Sequence, residues 1–103
     1  MKYSLIKYRF KDGSRETWHR DVEEFIAALD SDPDLKGRIS YRCMKSRDGN
    51  EYFHLAGAAD DQAIKALNER AFFARYKEKT RQAAGGGVDV LPLEIVAETK
   101  MTT

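Results

Sequence analysis

A chain of 103 residues with 42% hydrophobic and 34% charged residues is long enough for one core, too short for two, and too apolar for a disordered chain. The formal net charge is +1, with acids interleaved among the bases, so no basic stripe faces a phosphate backbone and no nucleic-acid partner is expected. No run reaches the roughly 18 consecutive apolar residues of a bilayer span, and MKYSLIKYRF carries charge through its apolar segment, so no membrane partner and a cytoplasmic location are expected.

From Lys2 to Phe10 the residues alternate as in a strand, with Tyr3 and Leu5 on one side and Ile6, Tyr8 and Phe10 largely on the other. Both sides are apolar, which places the strand centrally or beside a partner. Lys11-Asp12-Gly13-Ser14 reads as a turn, with Ser14 as N-cap of a helix whose stripe is Trp18, Val22, Phe25, Ile26 and Leu29 and which ends near Asp30. Pro33 and Gly37 make SDPDLKG a loop.

Strands are predicted from about Arg38 to Ser46 and from about Glu51 to Ala58, joined at Arg47-Asp48-Gly49-Asn50. Asp-Gly predicts a tight primed turn with Gly49 at positive φ, and a register that sets Cys43 opposite His54 and Tyr41 opposite Ala56. Tyr41, Cys43, Tyr52 and His54 then share one face, and Met44, Phe53 and Leu55 the other. Which face meets the helices stays open.

Asp60 or Asp61 caps a second helix running towards Ala83, which Gly85-Gly86-Gly87 ends. Ala63, Ile64, Leu67, Ala71 and Ala74 form one stripe, and Phe72, Phe73 and Tyr76 lie off it. Either the helix bends near Arg70 or it is apolar on two sides because a second subunit covers it. Val88 to Glu98 is the last strand, and Pro92 argues for an edge. The expected domain spans residues 1–99, with a disordered tail over 100–103.

The order β-α-β-β-α-β is the ferredoxin-like arrangement of the α+β class. Right-handed crossovers put both helices on one sheet face. The other face is apolar and bare, so a homodimer through the sheet faces is expected.

The AADDQAIKALNERAFFARYKEKTRQ helix, the terminal VDVLPLEIV strand, the length and the element order resemble the antibiotic biosynthesis monooxygenase superfamily of dimeric α/β barrels over nearly the whole chain. In such families the helix after the third strand often carries histidines where this chain looks to have Arg70 and Arg75, followed by an aromatic that looks like Tyr76. Members that degrade haem carry a first-strand asparagine, a tryptophan and a helical histidine. Here Lys7 and Tyr8 stand in the first strand, Trp18 lies on the first helix, and the second helix has no histidine, so haem chemistry is not implied. The resemblance implies instead a monooxygenase with no cofactor, acting on a small phenol or quinol between sheet and helices. The alternative is a non-catalytic dimeric barrel that binds a small hydrophobic ligand.

His54 is the candidate catalytic base, because imidazole titrates near neutral pH and the register sets it near Tyr41 and Tyr52. The competing reading is a strand histidine packed at a subunit interface. Tyr41, Tyr52, Phe73 and Tyr76 are candidate walls for an aromatic ligand, and Arg70 a candidate grip on a phenolate or carboxylate. Arg70 and Arg75 also suit surface pairs with Glu69 or Glu78, and Phe72, Phe73 and Tyr76 suit a dimer seam. Cys43, the single cysteine, permits no internal disulfide and reads as a small core residue, with no metal site expected. Trp18 reads as core and His19 as solvated.

Overall fold

Alternation at the amino terminus produces strand β1, Lys2–Arg9, in the computed structural model, which describes residues 1–100. Of the expected tail 100–103, residues 101–103 lie outside the described residues. Helix α1, Arg15–Ser31, begins where the Thr17 amide donates to Ser14 Oγ. Its stripe of Trp18, Val22, Phe25 and Leu29 is buried against the sheet and a later helix, each side chain contributing about 2 kcal/mol by leaving water. In the loop that follows, Leu35 has no exposed surface and pins the turn to the core, a contribution its polar neighbours conceal.

Strands β2, Ile39–Lys45, and β3, Glu51–Ala58, pair antiparallel with Cys43 opposite His54 and Tyr41 opposite Ala56, as expected. The turn between them differs from the expected one. Gly49 does not adopt positive φ, and the Ser46 amide closes a wider loop by donating to the Glu51 carbonyl at 2.9 Å. Space explains the glycine there: a Cβ at Gly49 would sit 2.8 Å from Ser46 Oγ.

The second helical segment is two helices. Asp60 caps α2, Asp61–Asn68, by accepting from the Ala63 amide at 2.9 Å. The chain breaks at Glu69 and Arg70, and α3, Ala71–Ala83, follows. This break is the bend that the misaligned aromatics require. It resets the helical phase, so Phe72, Phe73 and Tyr76 turn inward while Ala71 and Ala74 face outward. Gly85 and Gly86, both at positive φ, terminate α3 with amides that donate to the Gln82 and Arg81 carbonyls.

Strand β4, Val88–Leu93, is shorter than expected and lies on an edge, which leaves Pro92 free of a second ladder. The sheet is antiparallel in the order β2-β3-β1-β4, a ferredoxin-like α+β fold with its helices on one face. The opposite face carries Tyr3, Leu5, Phe53, Leu55, Met44 and Leu91, which no described element covers.

Candidate active site

Side-chain size divides the helix-facing side of the sheet in two. Tyr8, Tyr52 and His54 fill one half, packed beneath α1. In the other half Ser4, Ala56 and Ala58 of the central strands are too small to reach α2 and α3, and a cavity of about 430 Å³ remains. Ile6, Ile39, Leu67, Phe73 and Val88 make its walls largely apolar. Tyr41 and Tyr76 close its buried end, and Val90, 61% exposed, lies at its open side. A smaller cleft of about 220 Å³ lies between α1 and α3, sharing Tyr76 and rimmed by Asp21, Glu24, Arg75 and Lys79.

Behind the two tyrosines lies His54, fully buried at 0% exposure. Both of its ring nitrogens are engaged. Nδ1 is 2.5 Å from Tyr41 Oη and 3.2 Å from Tyr76 Oη, and the two hydroxyls are 3.0 Å apart. Nε2 is 2.7 Å from Tyr8 Oη, which accepts the Trp18 indole N–H at 2.9 Å. Ring stacking fixes the group: Tyr76 lies 3.8 Å from Phe25, nearly parallel, with Trp18 at 5.8 Å.

Proton counting assigns the tautomer. The Tyr8 proton has His54 Nε2 as its acceptor, so the neutral ring carries its proton on Nδ1 and donates to Tyr41 Oη. The opposite tautomer would orphan the Tyr8 proton in the core, at about 1–3 kcal/mol. With Nδ1 protonated, Tyr41 and Tyr76 satisfy each other once, and among the described residues no further acceptor lies within hydrogen-bond distance of the remaining hydroxyl proton. Both hydroxyls belong to residues that line the cavity, so the buried end of the cavity is a hydrogen-bond donor.

Burial sets the electrostatics. It pushes His54 down to about 4, so the imidazole is neutral near pH 7. It also raises the Tyr8, Tyr41 and Tyr76 hydroxyls well above a phenol's ordinary value, and pushes the Cys43 thiol up to about 11. Cys43 is therefore a protonated thiol, and among the described residues no hydrogen bond joins it to His54. No group of metal-ligating side chains occurs among the described residues.

The structure thus brings His54, Tyr41, Tyr76 and Phe73 together, the last three at the cavity wall. Tyr52 and Arg70 lie elsewhere. Tyr52 stacks on Tyr8 and meets the His19 ring nitrogen at 2.7 Å, so His19 is half-buried rather than solvated. Arg70 lies at the break before α3, where its guanidinium donates to Asp32 at 2.7 Å and Asp34 at 2.8 Å. That contact holds the Asp32 carboxyl below the usual carboxylate range and ties the helix break to the loop after α1. Tyr8 and Trp18 complete the network, and sequence pattern alone had placed both as packing residues. The available signal was parity, because Tyr8 shares its face with Ile6, which pairs with His54.

No protein-family model and no curated protein matches this chain. Solved structures do. The Rv0793 protein of Mycobacterium tuberculosis superposes with a TM-score of 0.74 at 14% identity, covering 96% of this chain and 98% of that one. An antibiotic biosynthesis monooxygenase gives 0.74 at 11% identity over 94% of this chain and 100% of its own. SnoaB, a cofactor-independent oxygenase from Streptomyces nogalater, gives 0.72 at 13% identity over 94% and 95%. At such identities the likeness shows the fold, and the fold of this chain is that of the antibiotic biosynthesis monooxygenase superfamily.

Proposed function

We propose that this protein is an oxygenase that uses no metal or flavin and oxidises a small phenol or quinol in the cavity. Tyr41 and Tyr76 touch the substrate, Phe73 forms part of the wall, and His54, shifted to its Nε2-protonated tautomer at a cost of about 1–3 kcal/mol, receives the substrate proton at Nδ1 through the hydroxyls. The observation that carries this reading is the hydroxyl pair at the buried end of an apolar cavity, backed by an imidazole. The cavity's volume suits a small aromatic ligand. SnoaB, on the same fold, supports chemistry without a cofactor.

A deprotonated quinol, or a phenol made comparably electron-rich by further oxygen substituents, reduces dioxygen directly. One oxygen atom bonds to the ring carbon and the other leaves as water, so phenol and O₂ give quinone and water with no outside reductant. Proton transfer carries a cost of its own. Moving a proton from a phenol of pKa about 10 to an imidazole near 4 costs about 8 kcal/mol. That lies below a barrier of about 16 kcal/mol for ten turnovers per second. The resulting phenolate and imidazolium attract each other in the same low-dielectric surroundings, which offsets part of the cost.

Tyr52 and Arg70 support the site from outside the cavity: Tyr52 backs Tyr8, and Arg70 fixes the start of the helix that carries Phe73 and Tyr76. A second copy of the chain covers the bare sheet face in this reading. Its apolar residues, with the exposed Ile95 and Val96 beyond β4, favour a homodimer over a solvated sheet.

One observation favours the other reading, a non-catalytic barrel that binds a small hydrophobic ligand: His54 has no exposed surface and no free ring nitrogen. Oxygen uptake by chelator-treated protein across a panel of quinols and phenols separates the two. The oxygenase reading expects uptake that falls more than about tenfold in His54→Ala, within the range for loss of an acid–base group. Unchanged uptake in that variant removes His54 from the chemistry, and ligand-dependent thermal shifts without turnover identify the binding module.

A further inference from the structure

The charged residues that line the cavity all have one sign. They are Lys2 on β1 and Lys77 and Arg81 on α3, and among the described residues no Asp or Glu lines it. Lys77 and Arg81 lie four residues apart, so they occupy one side of α3, on the stripe that also presents Phe73, Tyr76 and Thr80 to the cavity. Tyr76 and Thr80 are buried, whereas Lys2, Lys77 and Arg81 are exposed, which places the cations at the mouth and the hydroxyls at the inner end.

Position and pairing distinguish these cations from scattered surface charge. The Lys77 ammonium sits 4.6 Å from the centroid of the Phe73 ring, a cavity wall, and no carboxylate pairs with it among the described residues. Lys2 pairs with Asp61 at 2.7 Å and Arg81 with Glu78 at 3.0 Å, but both carboxylates are solvent-exposed and neither lines the cavity. Both ends of the cavity thus present donors, cationic at the mouth and a neutral hydroxyl inside, with apolar walls between. A cation is repelled at the mouth, and a neutral hydrocarbon leaves both ends unpaired.

We infer that the occupant of this cavity is an aromatic anion, with a carboxylate at the Lys77 and Arg81 side of the mouth and an oxygen acceptor at the Tyr41 and Tyr76 end. The inference rests on the reading of this cavity as the ligand site and narrows its substrates to phenolic or quinol acids. The paired probes are 6-hydroxy-2-naphthoate and its methyl ester, which share the ring and hydroxyl and differ in the charge and one methyl group. Fluorescence titration of the full chain at low salt is expected to give about fivefold tighter binding of the acid, the scale of a favourable exposed ion pair. In Lys77→Gln/Arg81→Gln, with an unchanged circular dichroism spectrum, the preference is expected to fall below about twofold.

Ester binding as tight as the acid, a preference that survives in the double variant, or no binding of either probe at millimolar concentration overturns the inference. Oxygen uptake in the same samples keeps the two readings apart. Acid preference without turnover retains the anion site and removes the oxygenase, while turnover of neutral quinols without acid preference does the reverse.

Discussion

Burial of a neutral His54 makes the stability of this protein depend on pH in a defined window. The ring is held near 4 in the folded chain and titrates near 6.5 when unfolded. Between those values the unfolded chain binds a proton that the folded chain does not, so stability rises with pH there. The contribution is fully present above about pH 6.5 and is lost as pH falls towards 4. Between pH 7 and pH 4.5 the loss amounts to about 2 kcal/mol.

Carboxylates titrate in the same region, so the readout is a difference between two proteins. Urea denaturation of the wild type and of His54→Gln at both pH values cancels every other group. The wild-type advantage is expected to be about 2 kcal/mol smaller at pH 4.5 than at pH 7. An advantage that stays constant, or grows on acidification, refutes the buried neutral histidine and the proton count built on it.

Other perturbations probe the cavity and the bare face. Tyr41→Phe/Tyr76→Phe removes both hydroxyls from the donor end, and calorimetric titration should show 6-hydroxy-2-naphthoate binding about fivefold weaker, the worth of one hydrogen bond, with 2-naphthoate unaffected. Ala56→Phe places a ring in the space above β3, so fluorescence titration should find probe binding abolished while the melting temperature is maintained or raised. Leu91→Glu puts a charge on the bare face, where Leu91 is 46% exposed. Light scattering should find about twice the 11.8 kDa chain mass for the wild type and the single chain mass for the variant. A monomeric wild type at micromolar concentration would remove the homodimer.

Local chemistry was legible in the sequence wherever neighbours along the chain decide the outcome. Ser14 and Asp60 cap their helices, and the off-stripe Phe72, Phe73 and Tyr76 mark the break at Arg70. The hairpin register survives although the turn does not take the expected form, because a loop from 47 to 50 sets Cys43 opposite His54 whatever the φ of Gly49. What pairing alone leaves open is which face of the hairpin the helices cover. That choice depends on Trp18 and Tyr76 packing over His54 from elements remote in sequence.

The cavity was illegible for a similar reason. It exists because Ser4, Ala56 and Ala58 are small at adjacent places on separate strands, a coincidence that no single segment displays. Its cations were read as part of an interleaved surface, since Lys2 is separated from Lys77 and Arg81 by most of the chain. Arg70 had the chemistry of an anion grip, and the fold gives it Asp32 and Asp34 as partners.

Oxygen-isotope labelling tests the proposed chemistry most directly. Chelator-treated protein turning over a phenolic acid under ¹⁸O₂ is expected to yield a quinone with one labelled oxygen and the other label in water, and Tyr76→Phe should slow the reaction. Unlabelled product, or turnover that requires an added metal or flavin, contradicts it.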